Sequence, residues 1–311
     1  MRVVFMGSAG FGIPALEALT RNGHVVTGIV STPASRQGRG LALADSPMTA
    51  YAKTKGFDPI ITPQTLGADS VAEELRKMAA DVFVVVAFRI LPKSIFGIPR
   101  LGTFNIHASL LPRYRGPAPI QRAIEAGENE TGITIFKIDA GIDTGGIVLS
   151  RKTGIGPKET APQLGERLSV LGAQALAEAL ALVESNAAVF ATQDASRACG
   201  APKLAKAEGR INWSDAAPAI FNKVRAFKPF PGTYTFLDET RIMVEWAEVS
   251  DHSGPQFEPP GTVVAIDKSG FEVQCGNGRL LVSEVKPEGR KSMAARDFAG
   301  GRGIDIGMRF A

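Results

Sequence analysis

Apolar positions change their period partway along the chain. Up to about residue 184, short apolar runs alternate with stretches of helical spacing. Val3–Met6, Val25–Val30, Val82–Ala87, Phe104–Ile106 and Ile133–Ile138 read as strands, and Pro14–Leu19, Pro47–Lys55, Ser70–Met78, Pro119–Ala126 and Ala161–Glu184 read as helices. Ser31–Pro47 reads as a long polar loop. The run Val82–Ala87 (VFVVVA) is continuously apolar and β-branched, as a strand covered on both faces of a parallel sheet requires. The alternation predicts a doubly wound α/β domain with a mostly parallel, Rossmann-like sheet.

From Ser185 to Ala205 the periodicity stops and a connection is expected. Beyond it, Ala217–Ala226 has helical spacing. Then come five short strand-like runs: Thr233–Leu237, Arg241–Val249, Gly261–Asp267, Phe271–Gln274 and Leu280–Val285, with DE, DKSG and GNG among the turns between them. That spacing predicts a small β-barrel. The expected division is a first domain over 1–187, a linker over 188–206 and a second domain over 207–311, in keeping with a chain of 311 residues.

Charge and cysteine content narrow the picture only slightly. The formal net charge is +4, too mild by itself to argue for a polyanionic partner. The two cysteines, Cys199 and Cys275, have no metal-ligand spacing, so no metal site is expected and a reducing compartment is the simplest setting. The first residues read as a strand and turn rather than a targeting peptide. The Ala/Leu-rich segment near 168–183 carries Glu178, so it reads as a packed helix and no membrane span is expected.

Candidate chemistry gathers at the ends of the predicted strands. The first turn holds Gly7, Gly10 and Gly12 in the order G-x-x-G-x-G, which is not the dinucleotide fingerprint, and the second strand ends without an acidic residue for a ribose. Nicotinamide binding is therefore not expected. The stretch 104–124 is more informative. Asn105 and His107 stand two apart at a strand end, so they share one side at the edge where open α/β sheets bind ligands. An amide beside an imidazole suits stabilising an oxyanion and moving a proton. Asp143 follows in a turn with Gly141, Gly145 and Gly146. It could orient His107, take a proton from an amine itself, or simply cap its own turn.

Three motifs then occur in order: N-x-H at 105–107, S-L-L-P-x-Y-R-G at 109–116 and D-x-G-x-D-T-G at 139–145. Together they resemble the folate-dependent formyltransferases. The resemblance implies that Asn105, His107 and Asp143 are the catalytic trio and that Ser109, Leu110, Leu111 and Pro112 form a folate-contacting loop. Phe88, Ile90 and Leu91 are implied in the segment lining the pterin pocket. In relatives that segment reads A-Y-G-x-I-L-P, whereas here it is Ala87-Phe88-Arg89-Ile90-Leu91-Pro92, one residue shorter and without the glycine.

Nearly the whole chain resembles the branch of the family that formylates an aminoacyl-tRNA. Ser31–Pro33 through Gln37–Gly40 resembles its loop toward the acceptor stem, although the lysines usual after Gly40 are replaced by Leu41-Ala42-Leu43. Lys203–Lys206 with Gly209–Trp213 fit the entry to its second domain, Arg225–Phe227 with Pro229–Gly232 fit the segment that follows, and Pro260–Val263 opens a stretch like its OB-type barrel. The resemblance implies 10-formyltetrahydrofolate as co-substrate and initiator methionyl-tRNA as acceptor, with Arg36, Arg39, Lys206 and Arg210 as tRNA contacts. It also implies a cytoplasmic monomer that needs no metal. On this expectation Asn105 and a protonated His107 stabilise the developing oxyanion while Asp143 helps remove the amine proton. A sugar or purine-precursor formyltransferase, a formyl-folate hydrolase and a non-catalytic RNA-binding protein are the competing expectations. The second domain argues against the first two, and the intact trio argues against the last.

Overall fold

The computed structural model describes residues 1–37, 42–251, 258–302 and 304–311. They form two compact units: Met1–Pro119 with Glu130–Gly154 and Leu164–Pro202, and Lys203–Ala311 with Ile120–Asn129 and Ile155–Gln163.

In the first unit, β1 (Arg2–Gly7) is followed by α1 (Ile13–Arg21) and β2 (Val25–Val30). Pro14 at the start of α1 removes only an N–H that has no helical partner. A two-stranded hairpin, β3 (Ser35–Gln37) and β4 (Ala42–Ala44), stands where a structureless loop is expected. Next come α2 (Pro47–Thr54), β5 (Ile60–Ile61), α3 (Asp69–Lys77), β6 (Val82–Val86) and α4 (Lys93–Phe96). Then β7 (Gly102–His107) leads, past α5 (Pro119–Glu125), to β8 (Glu130–Lys137) and β9 (Ile147–Gly154).

The seven strands form one sheet in the order β5-β2-β1-β6-β7-β8-β9. The pairs from β5 to β7 are parallel, and β7–β8 and β8–β9 are antiparallel. Every residue of β6 is buried, as its β-branched run requires. One face of the sheet packs Val4, Met6, Phe83 and Val85 against Leu75, Met78, Leu91 and Ile95. On α6 (Ala161–Glu184), Leu164, Leu168, Ala175, Leu176, Ala179, Leu180 and Val183 are buried at helical spacing. None of the helices among the described residues is long and apolar enough to cross a membrane.

The strand order reverses at β1, with β2 on one side and β6 on the other. Open α/β sheets bind ligands at such a reversal, beyond the carboxyl ends of the strands. Gly7 pairs with Val86 there, and β7 ends one strand further along.

The second unit contains α7 (Ala217–Ala226), β10 (Thr233–Leu237), β11 (Thr240–Val249), β12 (Val263–Asp267), β13 (Gly270–Gln274), β14 (Arg279–Pro287), β15 (Met293–Ala294) and α8 (Ala295–Arg302). The antiparallel order is β10-β11-β14-β13-β12, with β15 on β14. Residues 307–311 join the two open edges into a barrel. Val263 N donates to Met308 O at 2.8 Å and Phe310 N to Gly261 O at 2.9 Å, while Ala311 and Phe236 exchange both backbone bonds at 2.9 and 3.2 Å. Phe310 is buried between Trp213 and Phe271, with ring centroids 6.0 and 5.5 Å away. Buried Arg225 ties residues 155–163 to this unit by donating to Gly156 O and Glu159 O at 3.1 and 3.3 Å. Arg122 does the same for residues 120–129, with Glu208 at 2.8 Å.

The segment expected to be a free linker is partly fastened. Up to Pro202 it groups with the first unit, where Ala191 bridges Ile147 and Gly200 bridges Arg115.

Candidate active site

Strand β7 sends alternate side chains to opposite faces. Phe104 and Ile106 are buried, Ile106 beneath α6, where a Cβ on Gly172 would lie 2.9 Å from Ile106 Cγ2. Asn105 and His107 therefore face the other way, at the carboxyl end of the strand. His107 is 5% exposed and meets the Phe136 ring edge-on, with centroids 6.4 Å apart. Asn105 is half-buried, and among the described residues its side-chain amide makes no hydrogen bond.

Two acceptors flank His107. Its Nε2 lies 2.9 Å from the carbonyl of Tyr114 and its Nδ1 lies 3.6 Å from Asp143 Oδ2. A carbonyl can only accept, so Nε2 donates and the neutral ring keeps its lone pair on Nδ1. Burial pushes the imidazole below its ordinary 6.5, against the opposing pull of Asp143 and the Tyr114 carbonyl. The resting site therefore favours the neutral ring. Burial thus works against the protonated His107 expected from the sequence, and a proton gained by the ring goes to Nδ1.

Asp143 reaches this position from a left-handed backbone, φ 53°, which an Asp tolerates better than most residues. Gly116 N donates to its Oδ2 at 2.8 Å, and Gln193 Nε2 donates to its carbonyl at 2.9 Å. At Gly145 a Cβ would fall 1.7 Å from Lys137 O, so only glycine lets the turn close. An amide placed like that of Asn105 can donate N–H groups to an oxyanion, and an imidazole facing a carboxylate can take up and return one proton.

The residues expected to hold folate do not act as one surface. Ser109 is fully buried and its hydroxyl donates to Arg113 O at 2.6 Å, so it shapes the loop from within. Leu111 is buried as well, and its N–H donates to Thr134 Oγ1 at 3.1 Å. Thr134 Oγ1 in turn donates to Ser109 O at 2.7 Å. Leu110 and Pro112 are half-buried, with a cis bond at Leu111–Pro112. Of the other three, Leu91 packs in the core, Phe88 is half-buried and Ile90 is 78% exposed. Arg89 turns away and donates to Gln64 O and Pro63 O at 2.9 and 2.8 Å.

The basic residues belong to separate elements. Arg36 is exposed on β3, opposite Leu43. Arg39 lies outside the described residues. Lys206 and Arg210 are exposed on the second unit, the latter over the Phe236 ring at 5.5 Å. Three contributors to the site have no individual signal in the sequence: the Tyr114 carbonyl, the Gly116 N–H and the Gln193 amide. The first two fall within the Y-R-G run, and nothing in the sequence distinguishes Gln193.

Known proteins resemble this chain in sequence and fold. Residues 1–180 match the family described as formyl transferase, and residues 203–303 match the formyl transferase C-terminal domain. The methionyl-tRNA formyltransferase of Geobacter metallireducens is 41% identical over 310 residues, which is 99% of this chain and 98% of that protein. The enzyme of the same name from Thiobacillus denitrificans is 42% identical over 310 residues, covering 99% of each. Among solved structures, the N-formyltransferase of Helicobacter canadensis, in complex with folinic acid and dTDP-3-aminofucose, superposes with a TM-score of 0.66. It shares 17% identity and covers 90% of this chain and 98% of its own.

Proposed function

This chain belongs to the formyl transferase family, and from that premise we propose that it carries the formyl group of 10-formyltetrahydrofolate to the α-amine of initiator methionyl-tRNA. What supports the reading is that Asn105 and His107 share one side of β7 at its carboxyl end, with Asp143 Oδ2 3.6 Å from His107 Nδ1. The chain that carries them matches methionyl-tRNA formyltransferases end to end.

The chemistry follows from what each group can give. Asn105 donates to the formyl oxygen as the amine adds and that oxygen gains negative charge. His107, neutral at rest, takes the amine proton on Nδ1, and Asp143 stabilises the imidazolium so formed. His107 then returns the proton to the departing nitrogen of the carrier. Removing one oxyanion donor costs roughly 100- to 1,000-fold in rate, and positioning of the two reactants supplies much of the remainder.

The folate assignment fits the residues at the strand reversal. Exposed Ile90 and half-buried Phe88, Leu110 and Pro112 supply apolar surface for a flat heterocycle. Ser109 and Leu111 shape the loop and Leu91 supports it from the core, so contacts from these three fall to the backbone. Arg36, Arg39, Lys206 and Arg210 are assigned to tRNA phosphates, where they position the acceptor without reading its sequence. The catalytic unit takes residues 1–187 and the tRNA-binding unit residues 207–311. The reading includes action as a monomer in the cytoplasm.

A second reading has the Helicobacter canadensis structure behind it, a formyltransferase with a nucleotide amino sugar in its complex. One incubation separates the two. With 10-formyltetrahydrofolate, charged initiator tRNA, charged elongator methionyl-tRNA and an amino-sugar nucleotide offered in parallel, formyl-methionine should form on initiator tRNA. Formylation of the sugar alone, or of nothing, rejects the proposal.

A further inference from the structure

Residues 190–201 run as a strap along the first unit. Phe190 stacks on Phe104 at 6.4 Å, Ala191 and Ile147 exchange backbone bonds at 2.8 and 2.9 Å, and Ala201 N donates to Arg115 O at 2.6 Å. From residue 189 to residue 200 every position is exposed except Gln193, which is half-buried. Its amide uses all of its hydrogen-bonding capacity inside the site. Oε1 accepts from Arg115 Nε and Nη2 at 3.2 and 2.7 Å, and Nε2 donates to Asp143 O and Gly145 O at 2.9 and 2.8 Å. A guanidinium only donates and a carbonyl only accepts, so the amide has one permitted orientation.

The turn held in this way is the one that delivers the carboxylate. Asp143 sits at φ 53°, a left-handed backbone state that a non-glycine residue keeps where its surroundings impose it. Gln193 supplies two of those restraints, and Arg115 anchors it from the loop that carries Tyr114 and Gly116. The groups that face the His107 ring and the Asp143 carboxylate are therefore joined through one side chain.

We propose that Gln193 is a positioning residue for formyl transfer: oriented by Arg115, it holds the Asp143–Gly145 turn so that the Asp143 carboxylate faces His107. The inference rests on the functional reading above for its kinetic consequence alone. Asp143 is the charged group facing His107, and the Tyr114 carbonyl faces the other ring nitrogen. A carboxylate that swings away leaves burial less opposed, so the titration of His107 moves to lower pH.

The test uses Gln193→Leu, Gln193→Glu and Phe190→Leu in the full chain. Gln193→Glu keeps an acceptor for Arg115 but sets a carboxylate against two carbonyls. Both Gln193 variants should lower kcat about 10- to 100-fold, with KM for 10-formyltetrahydrofolate changed by less than about twofold. Gln193→Leu, which adds no charge, should also lower the His107 titration midpoint followed by NMR, where only His24, His107 and His252 contribute. Phe190→Leu loosens the strap elsewhere and should lower Tm while leaving that midpoint in place. An unchanged midpoint in Gln193→Leu, or an equal shift in Phe190→Leu, overturns the inference. The titration needs no turnover, so a wild-type protein that fails to transfer formyl rejects the functional reading without removing this test.

Discussion

The carbonyl of Tyr114 stands 2.9 Å from His107 Nε2 and thereby assigns the chemistry of the opposite nitrogen. With Nε2 fixed as a donor, the proton that His107 gains or loses is on Nδ1, the atom facing Asp143 at 3.6 Å. The pair is slightly too far apart for a hydrogen bond, which leaves room for it to tighten once the imidazole is charged.

Replacing Asp143 by Asn tests this without disturbing the backbone. Asn tolerates the left-handed conformation at this position, and its side-chain oxygen can still accept from Gly116. We expect kcat to fall by about 100-fold or more and the His107 titration to move down. Near-normal turnover would mean that Asp143 merely shapes the turn.

His107 also makes stability depend on pH. Its folded value lies below the unfolded 6.5, so as pH falls below 6.5 the unfolded chain binds a proton that the native site resists. Stability is lost through that window and the loss levels off once native His107 is protonated too. His107→Gln should therefore lose less stability than wild type between about pH 7.5 and about pH 5.5 in urea melts. Parallel losses in the two proteins would contradict this account.

Removing the Asn105 amide should act on rate and leave binding intact. Asn105→Ala is expected to lower kcat roughly 100- to 1,000-fold while the Kd for folate stays near wild type. A large loss of folate affinity with kcat intact would reassign Asn105 to binding.

Arg36→Ala should raise KM for tRNA, leave KM for folate unchanged and reduce the salt slope of tRNA binding by about one. Steady-state kinetics across a salt series checks all three. Equal effects on both substrates would remove Arg36 from the tRNA path.

Phe310→Ala probes the barrel closure. The ring is buried between Trp213 and Phe271 on the segment that joins the two sheet edges. Its removal should destabilise this unit by about 3–5 kcal/mol. The loss should appear as a lower denaturation midpoint for the fluorescence of Trp213 and Trp246, both in this unit.

Much of this architecture was legible because its causes are local. The β-branched run of β6 and the short runs between turns that became β10–β14 mark strands before any contact is known. Asn105 and His107 were readable as neighbours because strand period alone puts them on one face. Strand β9 was missed because three of its eight positions are exposed and none is fully buried, so no apolar run announces it, and β5 has only two residues. Phe88, Ile90 and Leu91 look equivalent in sequence, yet the turn begins at Ala87 with φ 47° and sends each in a different direction. Gln193 was invisible because its importance lies in four hydrogen bonds to groups distant in sequence.

Thr134 lies opposite His107 in the β7–β8 register, where one hydroxyl accepts from Leu111 and donates to Ser109. A valine would fill the same space and keep the strand, yet would strand both backbone groups at a penalty of about 1–3 kcal/mol each. Attempts to retool the neighbouring loop for another formyl acceptor should therefore treat residue 134 as fixed in chemistry rather than in size.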